Sequence, residues 1–385
     1  MPMEQFHIKV DQEVLDDLTY RLKHIRWSKD LENKDWERGT DLTYLQSLVS
    51  YWLSHYDWRM QEAKLNCFAQ FRCNIDGIDI HFIHERGKGA NPLPILLTHG
   101  WPDSYLRYLK LIPLLTDPAS YGGNPEDSFD VIIPSIPGFG FSSYPKTGGM
   151  NNSFVAELWA KLMTKELGYE RFIAGGGDLG SGITRYLAVK HPDLLYGIHL
   201  TDIGILRNLL QAQSSDTLSQ EEHQYKMKAQ EWMAKEGAYM SIQSTKPDTL
   251  AYGLSDSPVG LASWLIEKFH GWSDCNGNLN QRFQMDELIT NIMIYWVTNS
   301  ISSANAIYYE NMHSLPPLEY ISVPAGLALF AGDVMLPPKE SVKKYLNVTS
   351  LTTIPSGGHF TAMEEPQLMA EDIRDFSRAF RDFQT

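Results

Sequence analysis

Continuous apolar runs of three to five residues recur along much of this chain. Pro94–Thr98, Val131–Ile133, Phe172–Ala174, Tyr196–Leu200, Gly326–Phe330 and Leu351–Ile354 each read this way. Runs without polar alternation suit strands buried on both faces of a parallel sheet. Helical segments separate most of them, so the pattern predicts βαβ units and a doubly wound, mostly parallel α/β sheet. Upstream, Ile78, Ile80 and Phe82 alternate after a turn at Asp76-Gly77, which predicts a hairpin. Before that, Leu15, Leu18 and Leu22 fall at helical spacing, and a second helical patch covers Tyr44–Trp52. The strand rhythm stops between Ile205 and Leu318. There Ser219 with Glu222 forms a capping-box pattern, Ser257-Pro258 opens a helix that Gly271 can end, and a third helix is expected from Asp286 towards Asn311. The expected organisation is an N-terminal extension over 1–70, sheet core over 71–204 and 319–385, and an inserted helical lid over 205–318. A lid at that place covers strand carboxyl ends, where α/β sheets bind ligands.

Candidate chemistry begins at Ala174-Gly175-Gly176-Gly177-Asp178-Leu179-Gly180, between the run Phe172–Ala174 and a helical segment. Strand, small-residue turn and helix form the nucleophile elbow of an α/β-hydrolase. Gly176 and Gly180 permit the tight turn, and Asp178 holds the nucleophile position. A Gly-rich turn capped by Asp gives the same string without catalysis, so order along the chain carries the reading. In this fold the order is nucleophile, acid, histidine. Asp333 follows the run ending at Phe330, and His359 follows the next one. Asp202 also follows a strand and is the rival acid. Glu364 and Glu365 precede Pro366 and suit a helix N-terminus. In His99-Gly100-Trp101-Pro102, the backbone N–H of Trp101 pairs with that of Leu179 as an expected oxyanion hole. A carboxylate nucleophile needs no base for its attack and forms an ester, which points to epoxides or alkyl halides.

Composition adds exclusions. A net charge of −14 argues against nucleic acid and anionic membranes as partners. Three cysteines, Cys67, Cys73 and Cys275, match no zinc or redox spacing and read as free thiols. No signal peptide or long apolar run is visible, so the expectation is a cytoplasmic enzyme with no membrane anchor. Nothing calls for a cofactor or a metal. A homodimer is left open.

These motifs carry a resemblance over nearly the whole chain. Tyr56-Asp57-Trp58-Arg59, Gln70-Phe71, His99-Gly100-Trp101-Pro102, Ile136-Pro137-Gly138-Phe139-Gly140, the Asp178 elbow, Thr245-Lys246-Pro247-Asp248, Asp256-Ser257-Pro258-Val259-Gly260 and Gly357-Gly358-His359-Phe360 contribute to it. The chain resembles the microsomal-type branch of the α/β-hydrolase epoxide hydrolases, which includes soluble microbial enzymes and insect juvenile hormone epoxide hydrolases. The resemblance implies a small hydrophobic epoxide and water as reactants, with Trp101, Leu179 and Phe360 against the substrate. It also implies two lid tyrosines that donate to the epoxide oxygen. By local motif they fall on Tyr239 and Tyr308, with Tyr309 as the neighbouring alternative for the second. Two departures stand out. Leu179 follows the nucleophile where relatives usually carry Trp, and Asp333 stands where the mammalian microsomal enzyme uses Glu. Haloalkane dehalogenase and a non-catalytic hydrolase-fold binding protein are the rival readings.

Overall fold

The computed structural model describes residues 3–29, 32–145, 148–204 and 218–384. Nine strands among them form one sheet in the order β1-β2-β3-β5-β4-β6-β7-β8-β9. Strands β4 (Leu93–Thr98) and β5 (Phe129–Pro134) are buried at every residue. Together with β6 (Phe172–Gly176), β7 (Leu195–Leu200), β8 (Ile321–Phe330) and β9 (Leu346–Ile354) they run parallel. The hairpin β2 (Gln70–Ile75) and β3 (Ile78–Glu85) adds antiparallel strands on one side. The strand β1 (Glu4–Gln5) closes that edge. Its two residues are too few to show a period.

The chain order turns back at β4, which lies between β5 and β6. Ligands of such sheets bind beyond the carboxyl ends of strands at this kind of crevice. Loops carrying His99, Asp178, Asp202, Asp333 and His359 leave β4, β6, β7, β8 and β9 in turn, so topology gathers all five residues at one end of the sheet.

Helices from Gln220–Glu236 to Ile301–Ser314 lie between β7 and β8 in the chain. The first part of the expected helical block, 205–217, is outside the described residues. The capping box forms, with Ser219 and Glu222 exchanging side-chain bonds to each other's backbone. Two expectations need correction. The helix begun at Pro258 continues through Gly271 to Trp272, because residues there still pack inward. The helix expected from Asp286 to Asn311 is two, Met285–Thr298 and Ile301–Ser314, divided at Asn299 in the left-handed conformation. Asn tolerates that conformation better than most residues and so ends helices.

The N-terminal helices bind the lid rather than only the sheet. Tyr51 and Gln61 donate to the Asp286 carboxylate at 3.0 and 2.9 Å. Further along the same lid helix, Asn291 donates to the Pro102 carbonyl at 2.8 Å and Tyr295 to the Asp103 carbonyl at 2.6 Å. One lid helix therefore ties the extension to the loop after β4. No helix of the described residues is long and apolar enough to cross a membrane.

Candidate active site

Asp178 sits at the sharp turn between β6 and the helix Leu179–Lys190, with φ 57° and ψ −126°. A non-glycine residue here carries strain of about 1–3 kcal/mol, held in place by its surroundings. Close packing accounts for the glycines nearby. A Cβ on Gly180 would lie 1.9 Å from the Thr98 carbonyl oxygen, and one on Gly100 would lie 2.3 Å from the Asp178 carboxylate. Both positions require backbone to approach backbone or the Asp178 carboxylate more closely than any side chain allows.

The two oxygens of Asp178 have different partners. Oδ1 accepts the Trp101 N–H at 2.8 Å. Oδ2 lies 3.5 Å from His359 Nε2, within ion-pair range but long for a hydrogen bond. The backbone N–H of Leu179 opens the following helix, where no intrahelical acceptor exists for it. His359 Nδ1 donates to Asp333 Oδ1 at 2.9 Å. Asp202 does not reach the imidazole ring in this way; its carboxylate accepts the backbone N–H of Asp178 instead. The structure thus brings Asp178, His359 and Asp333 into one line and sets Asp202 beneath the backbone of Asp178.

Electrostatics follow from this arrangement. Burial pulls the His359 pKa down, but the charge of Asp333 and then the presence of Asp178 outweigh it and push it up to about 10. Burial acts to raise the Asp178 pKa, yet His359, the Trp101 N–H and the charge of Arg107 hold it below the ordinary carboxylate range. Burial and then the charge of Asp333 push Asp202 up to about 6. The resting pair is therefore carboxylate and imidazolium.

Both lid tyrosines pack against Trp101, whose backbone N–H holds Asp178. Tyr239 stacks on Trp101 with ring centroids 5.0 Å apart, and Tyr308 meets the same indole edge-on at 6.0 Å. The two phenol rings also meet each other edge-on, with centroids 6.0 Å apart. Burial and then the charge of Asp178 push both phenols well above their usual pKa, so both remain proton donors. Tyr309 is 39% exposed and stacks on His313 instead, so the buried member of the adjacent pair is Tyr308.

The loop bearing His359 is held by groups the sequence reading placed elsewhere or overlooked. Glu364 was expected at a helix N-terminus, but it closes the short helix Thr361–Glu364. Its carboxylate accepts the N–H groups of Asp274, Gly358 and Phe360 at 2.8, 2.9 and 3.0 Å. That correction has a simple cause: Pro366 starts a separate helix, capped at Glu365. Arg107, fully buried, donates to the His359 carbonyl at 3.1 Å and pairs with Asp103. Trp272 meets the imidazole edge-on at 5.3 Å, and its carbonyl accepts the His359 N–H at 2.8 Å. No spacing pattern marks Trp272 or Arg107. Phe360 is fully buried and stacked on Phe269 at 4.1 Å, so its ring is committed to packing beside His359. A cavity of about 300 Å³ abuts Asp178 beside Ser181, Arg185 and Asp202, and neither lid tyrosine is among its described lining residues.

Relatives decide what this geometry belongs to. A family described as "Epoxide hydrolase N terminus" matches residues 3–108, and one described as "alpha/beta hydrolase fold" matches 94–366. "Epoxide hydrolase 1" of Oryctolagus cuniculus is 39% identical over 400 residues, covering 96% of this chain and 88% of the relative. The chain belongs to the epoxide hydrolases. Among solved structures, the juvenile hormone epoxide hydrolase of the silkworm Bombyx mori is 30% identical with a TM-score of 0.85, covering 100% of this chain and 95% of that one. The Aspergillus niger epoxide hydrolase is 28% identical with a TM-score of 0.86, covering 98% and 97%. This epoxide hydrolase accordingly shares its sheet and its N-terminal extension with enzymes of that name.

Proposed function

We propose that this epoxide hydrolase turns an epoxide and water into a vicinal diol through a covalent ester on Asp178. One observation supports this most strongly. Asp178 Oδ1 is held by a backbone N–H while Oδ2 faces His359, so one oxygen is placed to remain the ester carbonyl and the other to attack. Oδ2 attacks a ring carbon and the carbon–oxygen bond of the strained ring breaks. Tyr239 and Tyr308 hydrogen-bond the departing oxygen and supply its proton, because an alkoxide leaves poorly as a bare anion. Esterification removes the Asp178 charge that helped to hold the proton on His359. That proton restores the tyrosine, leaving His359 neutral. His359, oriented by Asp333, then takes a proton from water as the water attacks the ester carbon. The N–H groups of Trp101 and Leu179 hold the charge that develops on Oδ1. As the carbon–Oδ2 bond of the tetrahedral intermediate breaks, Oδ2 takes the second proton of that water and leaves with the diol, Asp178 keeps the oxygen from water, and His359 is again an imidazolium.

The tyrosines provide the first test. Tyr239→Phe and Tyr308→Phe should each slow ester formation, and the double variant should lose it. Normal ester formation in the double variant, followed by rapid-quench mass measurement, would remove the phenols from the mechanism. Damage from Tyr309→Phe with a neutral Tyr308→Phe would shift the assignment by one residue.

Leu179 shapes the neighbouring space. Leu179→Trp should disfavour bulky or disubstituted epoxides relative to small terminal ones. Contacts of this scale move selectivity by about 1–3 kcal/mol, and overfilling with an indole adds strain. The measurement is the ratio of kcat/KM for one bulky and one small epoxide in both proteins. An unchanged ratio would mean that Leu179 does not contact substrate.

One observation favours a second reading. The indole N–H groups of Trp101 and Trp272 are buried without partners, and such donors can hold halide. The paired phenols have no part in that chemistry. Halide release from alkyl halides, measured beside diol formation, separates dehalogenase from epoxide hydrolase. We also assign the enzyme to the cytoplasm, on its unpaired cysteines. The segments 1–70 and 205–318 act in this reading as extension and lid.

A further inference from the structure

Lys268 is 4% exposed, an unusual state for an ammonium group. It lies on the lid helix Pro258–Trp272. Its Nζ stands over the ring of Tyr239, 5.0 Å from the centroid, and 5.8 Å from that of Trp272. Behind it, the carboxylate of Glu267 lies at 2.7 Å and that of Glu236 at 3.7 Å. The buried charge is therefore paired, which offsets the cost of removing it from water. A surface ion pair would satisfy Lys268 equally well, so its position over the phenol ring calls for its own account.

We propose that Lys268 is a positioning residue that makes Tyr239 a better proton donor in the ring-opening step. A cation over an aromatic face is attracted by the negative charge of that face. As the phenol yields its proton to the epoxide oxygen, negative charge accumulates on the ring. The attraction is then stronger in the transition state than in the ground state, and only such a difference accelerates a reaction. Glu267 acts with the opposite sign. Its negative charge adds to the forces that hold the proton on Tyr239. The pair thus forms a small dipole with its positive end over the phenol. This inference rests on the role proposed above for Tyr239.

The test is single-turnover kinetics that separates ester formation from ester hydrolysis, using styrene oxide and the full chain. Lys268→Met should slow ester formation by about 3- to 30-fold, the range of a buried cation–π contact, and leave hydrolysis unchanged. Lys268→Arg should recover most of the loss. Glu267→Gln should speed ester formation, and it keeps the packing if Lys268→Met folds poorly. In a Tyr239→Phe background, Lys268→Met should add nothing further. A structural ion pair would make both single variants slower, in both steps, and that pattern overturns the proposal. So does a Lys268→Met loss that persists without the Tyr239 hydroxyl, or an unchanged or slower Glu267→Gln. Full-speed ester formation by Tyr239→Phe sinks the reading of Tyr239 and this proposal together. A slow Tyr239→Phe beside a normal Lys268→Met sinks this proposal alone.

Discussion

Asp178→Ala is expected to abolish diol formation, with a loss on the order of 10,000-fold or more, as for other covalent nucleophiles. The alternative to a covalent ester is direct attack by water, with Asp178 as a base. Oxygen isotopes distinguish the two. In a single turnover in heavy-oxygen water, the diol should carry an unlabelled oxygen from Asp178, and the label should enter the Asp178 carboxylate. A first-turnover diol labelled wholly from solvent would eliminate the ester. The strained backbone at φ 57° makes a folding control necessary, since alanine bears the same strain without the hydrogen bond to the Trp101 N–H. Equal circular dichroism of the two proteins supplies that control.

His359→Ala should separate the two half-reactions. Carboxylate attack needs no base, while ester hydrolysis does. The variant should accumulate an enzyme–substrate adduct visible by intact mass and turn over roughly 100- to 10,000-fold more slowly. An unmodified variant, incubated with an epoxide that the parent protein hydrolyses, would contradict this division. The pH dependence sharpens the point. With Asp178 ionised, the His359 pKa is pushed up to about 10, so the ring is protonated at neutral pH and idle as a base. Esterification removes one of the two charges responsible, and the pKa falls. Hydrolysis should therefore rise with pH through an apparent pKa below 10. Ester formation should lack that acid limb. A shared limb in both steps would mean that His359 must be neutral before the ring opens.

The parallel strands were legible because strands buried on both faces must be apolar throughout. That signal faded where the physics did. Strand β8 begins at Ile321, five residues before the expected Gly326, because Ser322 is exposed and Pro324 sits at a register shift. Strand β9 begins at Leu346 rather than Leu351, since a strand at the sheet edge tolerates polar residues such as Asn347 and Thr349. The lid helices were visible from their caps. The break at Asn299 was not, because one residue in the left-handed conformation leaves the apolar period on either side nearly intact.

By itself, the sequence determined the fold class and the place of Asp178. Small residues are required wherever backbones meet around the elbow, and that requirement is local. Order along the chain then named Asp333 and His359, because each follows its own strand. Tertiary structure decided what depends on direction. Asp202 and Asp333 both follow strands, yet only Asp333 turns to the imidazole, while Asp202 turns to the backbone N–H of Asp178. Tyr308 and Tyr309 are neighbours, and a helix points successive side chains about 100° apart, so packing alone placed Tyr308 against Trp101. Lys268 reaches Tyr239 from the next lid helix but one, 29 positions along the chain, a distance over which no sequence period carries information.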